Sequence, residues 1–581
     1  MQSLLDLRTK NREVAATLTK VADLLDIGGA NPFRIRAYRN ASRLIANLNR
    51  SVAEMVEHHE PLDELPGIGR DLAGKISEIV HTGDLTLLRE IEKKTPLSLS
   101  ELMKIPSLGP KKIQILHQRL HVSDLNDLKH ALISGKVRSL PRFGKKTETR
   151  LLEEIARLED KKSERMLLAQ AEEAAEPILE YLHSIDGVQK AAIGGSYRRR
   201  RDTVGDLDIV VTCTEGSSVM EDFVRMPNVE RILAHGPKRS TIVLKSGLQI
   251  DIRVVSKSSF ESALYYFTGS KSHNIAMRTM AQKMGLKINE YGVFRKDKKI
   301  AGRTEEEIFK SVGLTYIEPE LRENQGEIEA AKRGDLPRLI ELQDIRGDLH
   351  VHTRASDGGN SIEEMANAAR SRGYAYMAVT DHTKNLAVTH GLDARRLLAQ
   401  LHEIEKLNER FNDFVVLKSA EVDILEDGSL DLPEYVLKKL DLTVCSIHSK
   451  FNLTRQKQTD RLLRAMDSPY FTVWGHPSGR LLGERAPMAF DFDRILLAAR
   501  ERNICLELNA QPQRLDLNDI DSRKAKDLGV NIVISTDAHD LRSLDYMKYG
   551  VGQARRGWLE ARNVVNTRPF SEMKMLLRSM N

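Results

Sequence analysis

Two aspartates at the start of an apolar run constrain the fold more than any other feature of the chain. Asp206 and Asp208 are two residues apart and lead directly into residues 209–211, Ile-Val-Val. In a β-strand, residues i and i+2 point to the same face, so both carboxylates should project from the end of a buried strand. Like charges this close repel unless a cation lies between them, and Mg²⁺ prefers carboxylate oxygens together with substrate phosphates. The pattern therefore predicts a metal-binding site at the end of this strand.

The segment before these aspartates is rich in glycine and arginine. Gly194, Gly195 and Ser196 offer small side chains and free backbone N–H groups, and Arg198 and Arg199 add positive charge. Such a segment beside a metal is suited to holding a phosphate during in-line phosphoryl transfer. An Asp-x-Asp turn after a basic loop is weak evidence for a catalytic metal on its own, but the compound pattern is far more specific.

Length and composition predict several domains and no membrane segment. A chain of 581 residues is too long for one core, so about two to five domains are expected. Apolar residues make up 41% and charged residues 30%, as in soluble globular proteins. The apolar runs are too short to span a bilayer, and we see no secretion signal. Cys213, Cys445 and Cys505 are too scattered for a disulfide framework or a zinc finger. We therefore expect a cytoplasmic protein.

The N-terminal region reads as helical and contains a repeated turn. Residues 65–69, 105–109 and 140–144 share an apolar-Pro-x-apolar-Gly pattern before a helix. Glycine permits a turn that leaves backbone N–H groups free at a helix N-terminus, where a DNA phosphate can bind without sequence readout. One such turn also fits an ordinary helical hairpin, but three at intervals of about 35 to 40 residues indicate DNA-backbone binding. The residues expected to contact DNA here are Gly67, Gly69, Gly109, Lys111, Gly144 and Lys145.

The pattern Gly-Ser-x-Arg-Arg, followed by Gly-Asp-x-Asp and an apolar strand, resembles the palm motif of family X DNA polymerases, the family that contains DNA polymerase beta. Residues 241–245 and 248–255 read as two further strands around a Ser-Gly turn. Asp251 lies amid apolar residues in the second strand, where that family has its third aspartate. The resemblance implies that Asp206, Asp208 and Asp251 bind Mg²⁺ or Mn²⁺, and that Asp251 takes the proton from a primer 3′-hydroxyl.

A second segment, Tyr265-Tyr-Phe-Thr-Gly-Ser270, resembles the motif that lines the sugar pocket in the same family. Core packing would explain its aromatic residues but not the flanking Gly-Ser and Asn274. The resemblance implies that Asn274 and Arg278 probe the new base pair from its minor groove. The nucleotide-binding residues expected from both motifs are Gly195, Ser196, Arg199, Gly205, Tyr266, Phe267, Gly269 and Asn274.

The first 92 residues look like the 8-kDa domain of DNA polymerase beta. By that resemblance Lys75 forms a Schiff base with an abasic sugar, Arg34 contacts a 5′ phosphate, and Tyr38 orients the site. A neutral amine is needed for the attack. Asp71 stands where the family has a second lysine, and a solvated helix lysine explains Lys75 equally well.

From residue 348 onward, histidines and carboxylates close a series of short apolar runs. Strands that end in ligands and are separated by helical segments predict a β/α barrel with a site at its C-terminal rim. The set resembles the PHP (polymerase and histidinol phosphatase) domain. The resemblance implies three ions of Mn²⁺, Zn²⁺ or Fe²⁺, because imidazole with carboxylate suits these metals. The implied ligands are His350, His352, Asp357, His382, Glu421, His448, His476, Asp537 and His539. Lys450 and Arg480 are candidates for holding a substrate phosphate.

We predict a multidomain chain with an all-α helix-hairpin-helix N-terminal region, an α+β nucleotidyltransferase palm and thumb, and a C-terminal distorted β/α barrel. The expected domains are an 8-kDa-like domain at 1–92, a fingers-like domain at 93–170, the palm at 171–258, the thumb at 259–320, a linker at 321–344 and the PHP domain at 345–581.

The resemblances imply a DNA-directed DNA polymerase that fills short gaps in base excision repair, with a metal-dependent 3′–5′ exonuclease in the PHP domain and an abasic-site lyase or endonuclease activity. The expected partners are gapped or primer-template DNA and deoxynucleoside triphosphates. We expect a monomer that is associated with the nucleoid and not with a membrane. Two alternatives stay open: a template-independent nucleotidyltransferase, and a DNA-binding repair scaffold with residual catalysis.

Overall fold

The computed structural model describes residues 3–578 apart from 47, 49–51, 59, 66, 93–94, 97, 104, 106–107, 121, 142, 146 and 153–164. Pro66, Pro106 and Lys146 of the predicted hairpins therefore lie outside the described residues. The chain divides into two units, Met1–Lys162 and Ser163–Asn581. Of the helices described, none is both long and apolar enough to span a bilayer.

The first unit is helical, as predicted. Val14, Leu18, Val21 and Leu25 recur at helical spacing, and all four are buried. They belong to a core formed by residues 14–88, and a second core is formed mainly by residues 99–151. The helices are Ser3–Ile27, Pro32–Ala46, Val52–Glu57, Arg70–Thr82, Thr86–Glu92, Ser98–Leu102, Pro110–Leu120 and Leu125–Ile133.

The second unit opens with the predicted α+β region. Its strands are β1 (Met166–Leu167), which forms a short pair with β3 (Thr203–Val204), and β2 (Val188–Ile193), β4 (Asp206–Cys213), β5 (Val229–Ala234), β6 (Arg239–Leu244) and β7 (Gln249–Val254). The last five form a sheet with the order β2-β4-β7-β6-β5, in which β4 and β7 are parallel and the other neighbours are antiparallel. The helices are Leu168–Ser184, Gly195–Arg198 and Val219–Val224. Two barrel residues, Leu515 and Tyr549, complete the core of this sheet.

A helical region with a small antiparallel sheet follows. The helices are Phe260–Thr268, Lys271–Lys283, Glu305–Ser311 and Glu327–Arg333, and the strands are β8 (Lys287–Asn289), β9 (Gly292–Arg295) and β10 (Lys298–Ala301). Residues 321–344 do not behave as the predicted linker. Leu321, Ile328, Ala331 and Leu339 are buried in the same core as the preceding helices. The segment is charged, but its apolar residues pack into that core from the helix Glu327–Arg333 and from the chain on either side of it.

A buried arginine ties this region together. Arg322 donates to Glu305 at 2.7 Å and to the carbonyl of Ile317 at 2.9 Å. Its guanidinium lies 5.1 Å from the ring centre of Phe309, within cation–π range. Arg198 also donates to Glu305, at 2.5 Å. Burial raises the pKa of Glu305, but the two guanidiniums outweigh this effect and hold it at about 2.

The C-terminal region is a parallel barrel, which confirms the predicted fold. One sheet holds β11 (Gly347–Val351), β12 (Tyr376–Val379) and β13 (Val415–Lys418); the other holds β14 (Glu421–Asp423), β15 (Val444–Ser446), β16 (Val473–Trp474), β17 (Cys505–Asn509) and β18 (Ile532–Ser535). Bridges from Val351 to Ala538 and from His382 to Glu421 join the two sheets, so the barrel closes irregularly. The helices are Ile362–Ser371, Ala394–Asn408, Glu434–Leu437, Arg455–Met466, Phe492–Glu501, Asp519–Asp527, Met547–Arg556 and Phe570–Arg578.

The buried ion pair between Arg322 and Glu305 predicts that the stability of the protein falls in acid. Glu305→Gln should lower the free energy of unfolding near neutral pH by on the order of 3 kcal/mol, because Arg322 would keep its charge in the core without a full counter-charge. The pKa of Glu305 is about 2 in the folded protein against 4.5 for a free side chain. The stabilisation is therefore complete above the free value and is lost as the pH falls from there towards the folded value.

Urea unfolding of both proteins at several pH values measures this difference. The matched control is Glu306→Gln, which removes the same charge from the exposed neighbouring residue. A difference between wild type and Glu305→Gln that stays constant from neutral to strongly acidic pH would contradict the assignment.

Candidate active sites

The three predicted carboxylates meet at the end of β4 and β7. The strand register sets Asp208 directly beside Asp251, and Asp206 lies two residues before Asp208 on the same face. Burial, followed by the charges of Asp206 and Asp251, raises the pKa of Asp208 to about 7. Burial and Asp251 also raise the pKa of Asp206. This oxygen-only, mutually repelling set fits a divalent cation such as Mg²⁺ or Mn²⁺.

Three residues that the sequence did not single out hold Asp251. Arg239 and Thr241 donate to its Oδ1 at 3.0 and 2.6 Å, and Gln249 donates to its Oδ2 at 2.8 Å. Arg239 and Thr241 come from the neighbouring strand β6, so only the strand pairing shows that they belong to the site. The bonds fix the orientation of the Asp251 carboxylate beside Asp206 and Asp208.

The glycine pair fits tightly over this site. Gly195 has φ of +61°, and a Cβ on it would lie 2.7 Å from Oδ2 of Asp208. A Cβ on Gly194 would lie 3.1 Å from the backbone carbon of Phe267. A side chain at either position would collide with the carboxylate or with the facing backbone. Close approach therefore favours glycine at both positions, and the backbone conformation favours it at Gly195 as well.

The remaining predicted nucleotide-binding residues lie along two segments. Gly205 joins β3 to β4 immediately before the first aspartate, and Ser196 is in the short helix Gly195–Arg198. Asn274 donates to the carbonyl of Tyr266 at 2.7 Å, which ties the helix Lys271–Lys283 to the aromatic segment.

The other residues of the aromatic segment are also placed by specific contacts. Phe267 lies under the guanidinium of Arg253 at 4.4 Å. Gly269 follows with φ of +70°. Arg278 lies one turn after Asn274 and so shares its helix face.

The basic loop differs from the prediction, because each of its four arginines pairs with a carboxylate. The pairs are Arg198 with Glu305 at 2.5 Å, Arg199 with Glu323 at 3.0 Å, Arg200 with Glu172 at 3.3 Å and Arg201 with Glu323 at 3.8 Å. Arg199, expected to bind a nucleotide phosphate, also donates to the carbonyl of Thr268, and its side chain is only 12% exposed. Sequence reasoning had no means of finding these distant partners.

The three residues predicted for the lyase site have different surroundings, and one of them is buried. Tyr38, which we expected to orient the site, is a core residue with 2% exposure, so its side chain is not open to DNA. Arg34 is exposed. Nζ of Lys75 contacts the carboxylate of Asp71, one turn earlier on the same helix. The residue that departs from the family pattern therefore binds the predicted nucleophile directly.

The hairpin glycines are open to solvent. A Cβ at Gly67, Gly69, Gly109 or Gly144 would meet nothing within 4 Å, so packing does not explain these glycines. Gly67 has φ of +79°, a conformation that disfavours other residues. Lys111 and Lys145 are exposed in the helical turns that follow the second and third hairpins.

The predicted barrel ligands converge on one cluster. Eight of them fall into three groups whose candidate ligand atoms lie within 4.8 Å of one another. The groups are His352 with Asp357, His382 and His539; His350 with His352 and Asp537; and His382 with Glu421 and His448. His476 joins the cluster through Glu421, since its Nε2 lies 2.9 Å from Oε1 of that residue.

A shell of carboxylates orients the imidazoles. Nδ1 of His350 bonds Glu507 at 2.7 Å, and Nδ1 of His448 bonds Asp423 at 2.5 Å. When Nδ1 donates, Nε2 is left as the metal-binding nitrogen. Glu507 was not predicted as part of the site. Its sequence signal is an acidic residue inside the apolar strand β17, where a buried carboxylate needs a partner.

The electrostatics of the cluster fit a metal site. Burial lowers the pKa of His382, but Glu421 and Asp357 outweigh it and raise the value to about 10. Burial and the neighbouring imidazoles lower the pKa of His352 to about 4. Both ring nitrogens of His352 and Nε2 of His350 are buried without a hydrogen-bond partner in the described structure. Such nitrogens beside carboxylates are suited to Mn²⁺, Zn²⁺ or Fe²⁺.

The predicted phosphate-binding cations are placed differently. Arg480 donates to the carbonyls of Arg514 and Leu515 and lies 3.4 Å from Asp202, so it connects the barrel to the sheet region instead of facing a substrate. Lys450 pairs with Glu426 at 3.3 Å. Arg514, which was not predicted, lies at the cluster with Nε 3.7 Å from Asp537.

Comparisons with known proteins agree with this architecture. Family models match a helix-hairpin-helix domain at 9–85, a SAM-like helix-hairpin-helix tandem at 99–157, a DNA polymerase beta palm at 165–260, a DNA polymerase beta thumb at 263–323 and a PHP domain at 348–511. The DNA polymerase/3′-5′ exonuclease PolX of Bacillus subtilis is 38% identical over 98% of this chain and 99% of its own length. Rat DNA polymerase lambda is 26% identical over 54% of this chain and 56% of its own. A probable phosphatase of Thermoanaerobacter is 30% identical over 33% of this chain and 78% of its own.

The raised pKa of Asp208 predicts that protons and Mg²⁺ compete for the carboxylate site. Because the folded pKa of about 7 exceeds the free value of 3.8, the metal-free protein loses stability as the pH rises between these values. Bound Mg²⁺ removes that penalty. The rise in melting temperature on adding Mg²⁺ should therefore be clearly larger at about pH 8 than at about pH 6.

Thermal unfolding with and without Mg²⁺ at the two pH values measures this effect. Asp208→Asn is the control, because it removes the titrating charge and should abolish the pH dependence of the Mg²⁺ effect. An equal Mg²⁺ effect at both pH values in the wild type, or its full survival in Asp208→Asn, would show that Mg²⁺ binds elsewhere.

Proposed function

The chain belongs to the family X DNA polymerases that carry a C-terminal PHP domain, and we propose that it is a DNA-directed DNA polymerase with a separate 3′–5′ exonuclease site. The observation that carries this proposal is the presence, in one unit, of two chemically different clusters of potential metal ligands. One cluster holds Asp206, Asp208 and Asp251, and the other holds imidazoles with carboxylates at the barrel rim.

The three aspartates carry the proposed polymerisation. A divalent cation held there would neutralise phosphate charge and orient the reacting groups. Gly195 lets the backbone approach Asp208 closely, and Gly194 lets it approach the backbone of Phe267, so a bound triphosphate would meet backbone N–H groups here instead of side chains. Arg239, Thr241 and Gln249 fix the orientation of Asp251, which we propose takes the proton of a primer 3′-hydroxyl.

The barrel residues carry the proposed exonuclease. Metal ions held there would activate a water and stabilise the charge on the scissile phosphodiester. The chain contributes preoriented imidazoles, because Glu507 and Asp423 fix the donors of His350 and His448. Imidazole must be neutral to bind a metal, so the activity should fall in acid. We propose three ions of Mn²⁺, Zn²⁺ or Fe²⁺ here, and Mg²⁺ or Mn²⁺ at the aspartates.

The proposed cellular role is based on DNA binding by the helical unit. We propose that the open glycine turns and their lysines bind the DNA backbone without sequence preference, as gapped or primer-template DNA requires. A polymerase of this kind would fill short gaps in base excision repair, using deoxynucleoside triphosphates, as a monomer at the nucleoid. Removal of an abasic sugar by Lys75 is a further part of the proposal.

The two activities should separate by mutation and by metal. Asp206→Ala should abolish primer extension on gapped DNA, with at least about 10³-fold loss, because metal positioning and charge neutralisation fail together. It should leave 3′–5′ degradation intact. The double variant His350→Ala with His352→Ala should show the reverse, and degradation should prefer Mn²⁺ to Mg²⁺.

Extension and degradation of labelled DNA, with and without a template strand, measure both activities in each protein. Each variant is the control for the other. Substantial extension by Asp206→Ala would refute the polymerase site. Wild-type degradation by the double variant would place the nuclease outside the barrel, and equal extension without a template would favour a template-independent nucleotidyltransferase.

The contact between Lys75 and Asp71 makes the lyase testable. If Lys75 is the nucleophile, borohydride should trap it on abasic DNA, and Lys75→Ala should reduce trapping by at least about tenfold. Asp71→Ala should increase trapping, because the amine would no longer be held by a carboxylate. Equal trapping by Lys75→Ala and the wild type would move the nucleophile to another residue.

A further inference from the structure

A barrel helix reaches into the basic loop of the polymerase region. Arg556 is the last residue of the helix Met547–Arg556, and its side chain is only 2% exposed. One terminal nitrogen donates to the carbonyl of Arg199 at 2.9 Å and to Glu323 at 3.0 Å. The other terminal nitrogen donates to Asp519 of the barrel. One guanidinium thus bridges three acceptors from three segments of the chain.

The bonds continue from Arg199 towards the predicted sugar pocket. Nε of Arg199 donates to the same Glu323 at 3.0 Å, and a terminal nitrogen donates to the carbonyl of Thr268. A Cβ at Gly269 would lie 3.1 Å from that terminal nitrogen, so the guanidinium supports the turn directly. The chain of contacts runs from Arg556 through Glu323 and Arg199 to Thr268 and Gly269.

Other barrel contacts restrict the same loop. Arg480 lies 3.4 Å from Asp202, at the end of the loop. Gly552, one turn before Arg556, packs against the side-chain stem of Arg200, where a Cβ would lie 3.5 Å from that stem. The barrel therefore contacts three of the four residues from 199 to 202. A shift of the helix Met547–Arg556 would have to move the loop with it.

The charge balance makes Arg556 hard to replace. Glu323 is 13% exposed and is shared by Arg199 and Arg556, with Arg201 at 3.8 Å. Burial raises the pKa of Glu323, but the guanidiniums of Arg199 and Arg556 outweigh it and lower the value. Without Arg556, Glu323 would keep only Arg199 and Arg201 of these three positive charges. Asp519 would lose the hydrogen bond from the Arg556 guanidinium. The fork geometry of arginine is needed, because a lysine ammonium is a point charge on a flexible stem.

We propose that Arg556 is a positioning residue for the polymerase site, so that the barrel completes the nucleotide pocket independently of its own metals. It acts through Arg199 and Glu323, which hold the Thr268–Gly269 turn against the sugar of an incoming nucleotide. The inference rests on the proposed polymerase function and extends it. It gives the C-terminal region a role in nucleotide binding that the exonuclease chemistry does not require.

The test is the kinetics of single-nucleotide insertion on gapped DNA with Mg²⁺, using the full chain with His350→Ala and His352→Ala to prevent degradation. Arg556→Ala should raise the KM for the nucleotide by at least about tenfold, with a smaller change in kcat and unchanged DNA affinity. Arg556→Lys should restore part of the affinity, since it keeps the charge but not the fork.

Arg555→Ala is the matched control. Arg555 is the neighbouring residue, also crosses from the barrel, and bonds Glu320 at 2.7 Å and the carbonyl of Ile340. If only the loss of an interdomain ion pair mattered, both alanine variants would behave alike. We expect the KM of Arg555→Ala to stay within about twofold of the parent. Equal effects of the two variants, or no rise in KM for Arg556→Ala, would overturn the proposal.

Two further measurements keep the outcome decisive. If thermal melting shows that Arg556→Ala is unfolded, Glu323→Gln and Arg556→Lys carry the test, and an unchanged KM in both would refute the proposal. If the parent itself does not extend primers, the polymerase function fails. Binding of Mg²⁺-dATP to the full chain, measured by calorimetry, then tests Arg556 separately: Arg556→Ala should weaken it, and unchanged binding would overturn the role.

Discussion

Matching buried charge is the constraint on which the second unit depends. A buried charge costs several kcal/mol unless an opposite charge or a metal ion accompanies it. In the thumb-like region, Arg322 and Arg198 meet Glu305. Where β4 and β7 run side by side, three aspartates lie together, and burial followed by the charges of Asp206 and Asp251 raises the pKa of Asp208 to about 7. At the barrel rim, imidazoles and carboxylates balance one another in part and leave nitrogens available for metal. The matching of buried charge thus accounts for a structural ion pair at Glu305. It also accounts for candidate metal-ion sites at the three aspartates and at the barrel rim.

The matching of buried charge also explains how the aspartate site and the barrel site come to be connected. A run of four arginines at 198–201 could not be packed together unless carboxylates were brought to it. Those carboxylates come from Glu172, Glu305 and Glu323, which lie on separate elements of the unit. Glu323 lies in a segment that looks like a linker in the sequence, and its charge recruits Arg556 from the barrel. Neutralising the loop therefore fixes the palm-like sheet, the thumb-like helices and the barrel against one another.

Many residues of the two sites could be predicted from the sequence, because the pattern that marks each of them lies within a few neighbouring residues. Asp206 and Asp208 are two residues apart on a strand, so period-two geometry alone places their carboxylates together. Most of the barrel ligands lie at or just after the end of an apolar strand, and parallel strands end at one rim. The residues that hold these ligands were missed for the opposite reason. Arg239 reaches Asp251 across a strand pair, and Glu507 reaches His350 from 157 positions away, so local spacing does not identify either partner.

The sequence by itself determined the kinds of elements, the class of each domain and the candidate metal ligands, because period and residue chemistry act over a few residues. Only the tertiary structure decided what each charged side chain binds. It turned Arg199 and Arg480 from expected phosphate ligands into connections between regions, placed Tyr38 in a core, and packed the expected linker. The physical reason is that the energy of a charge depends on burial and on the nearest opposite charge. Both are set by residues that are distant in the chain and become neighbours only when it folds.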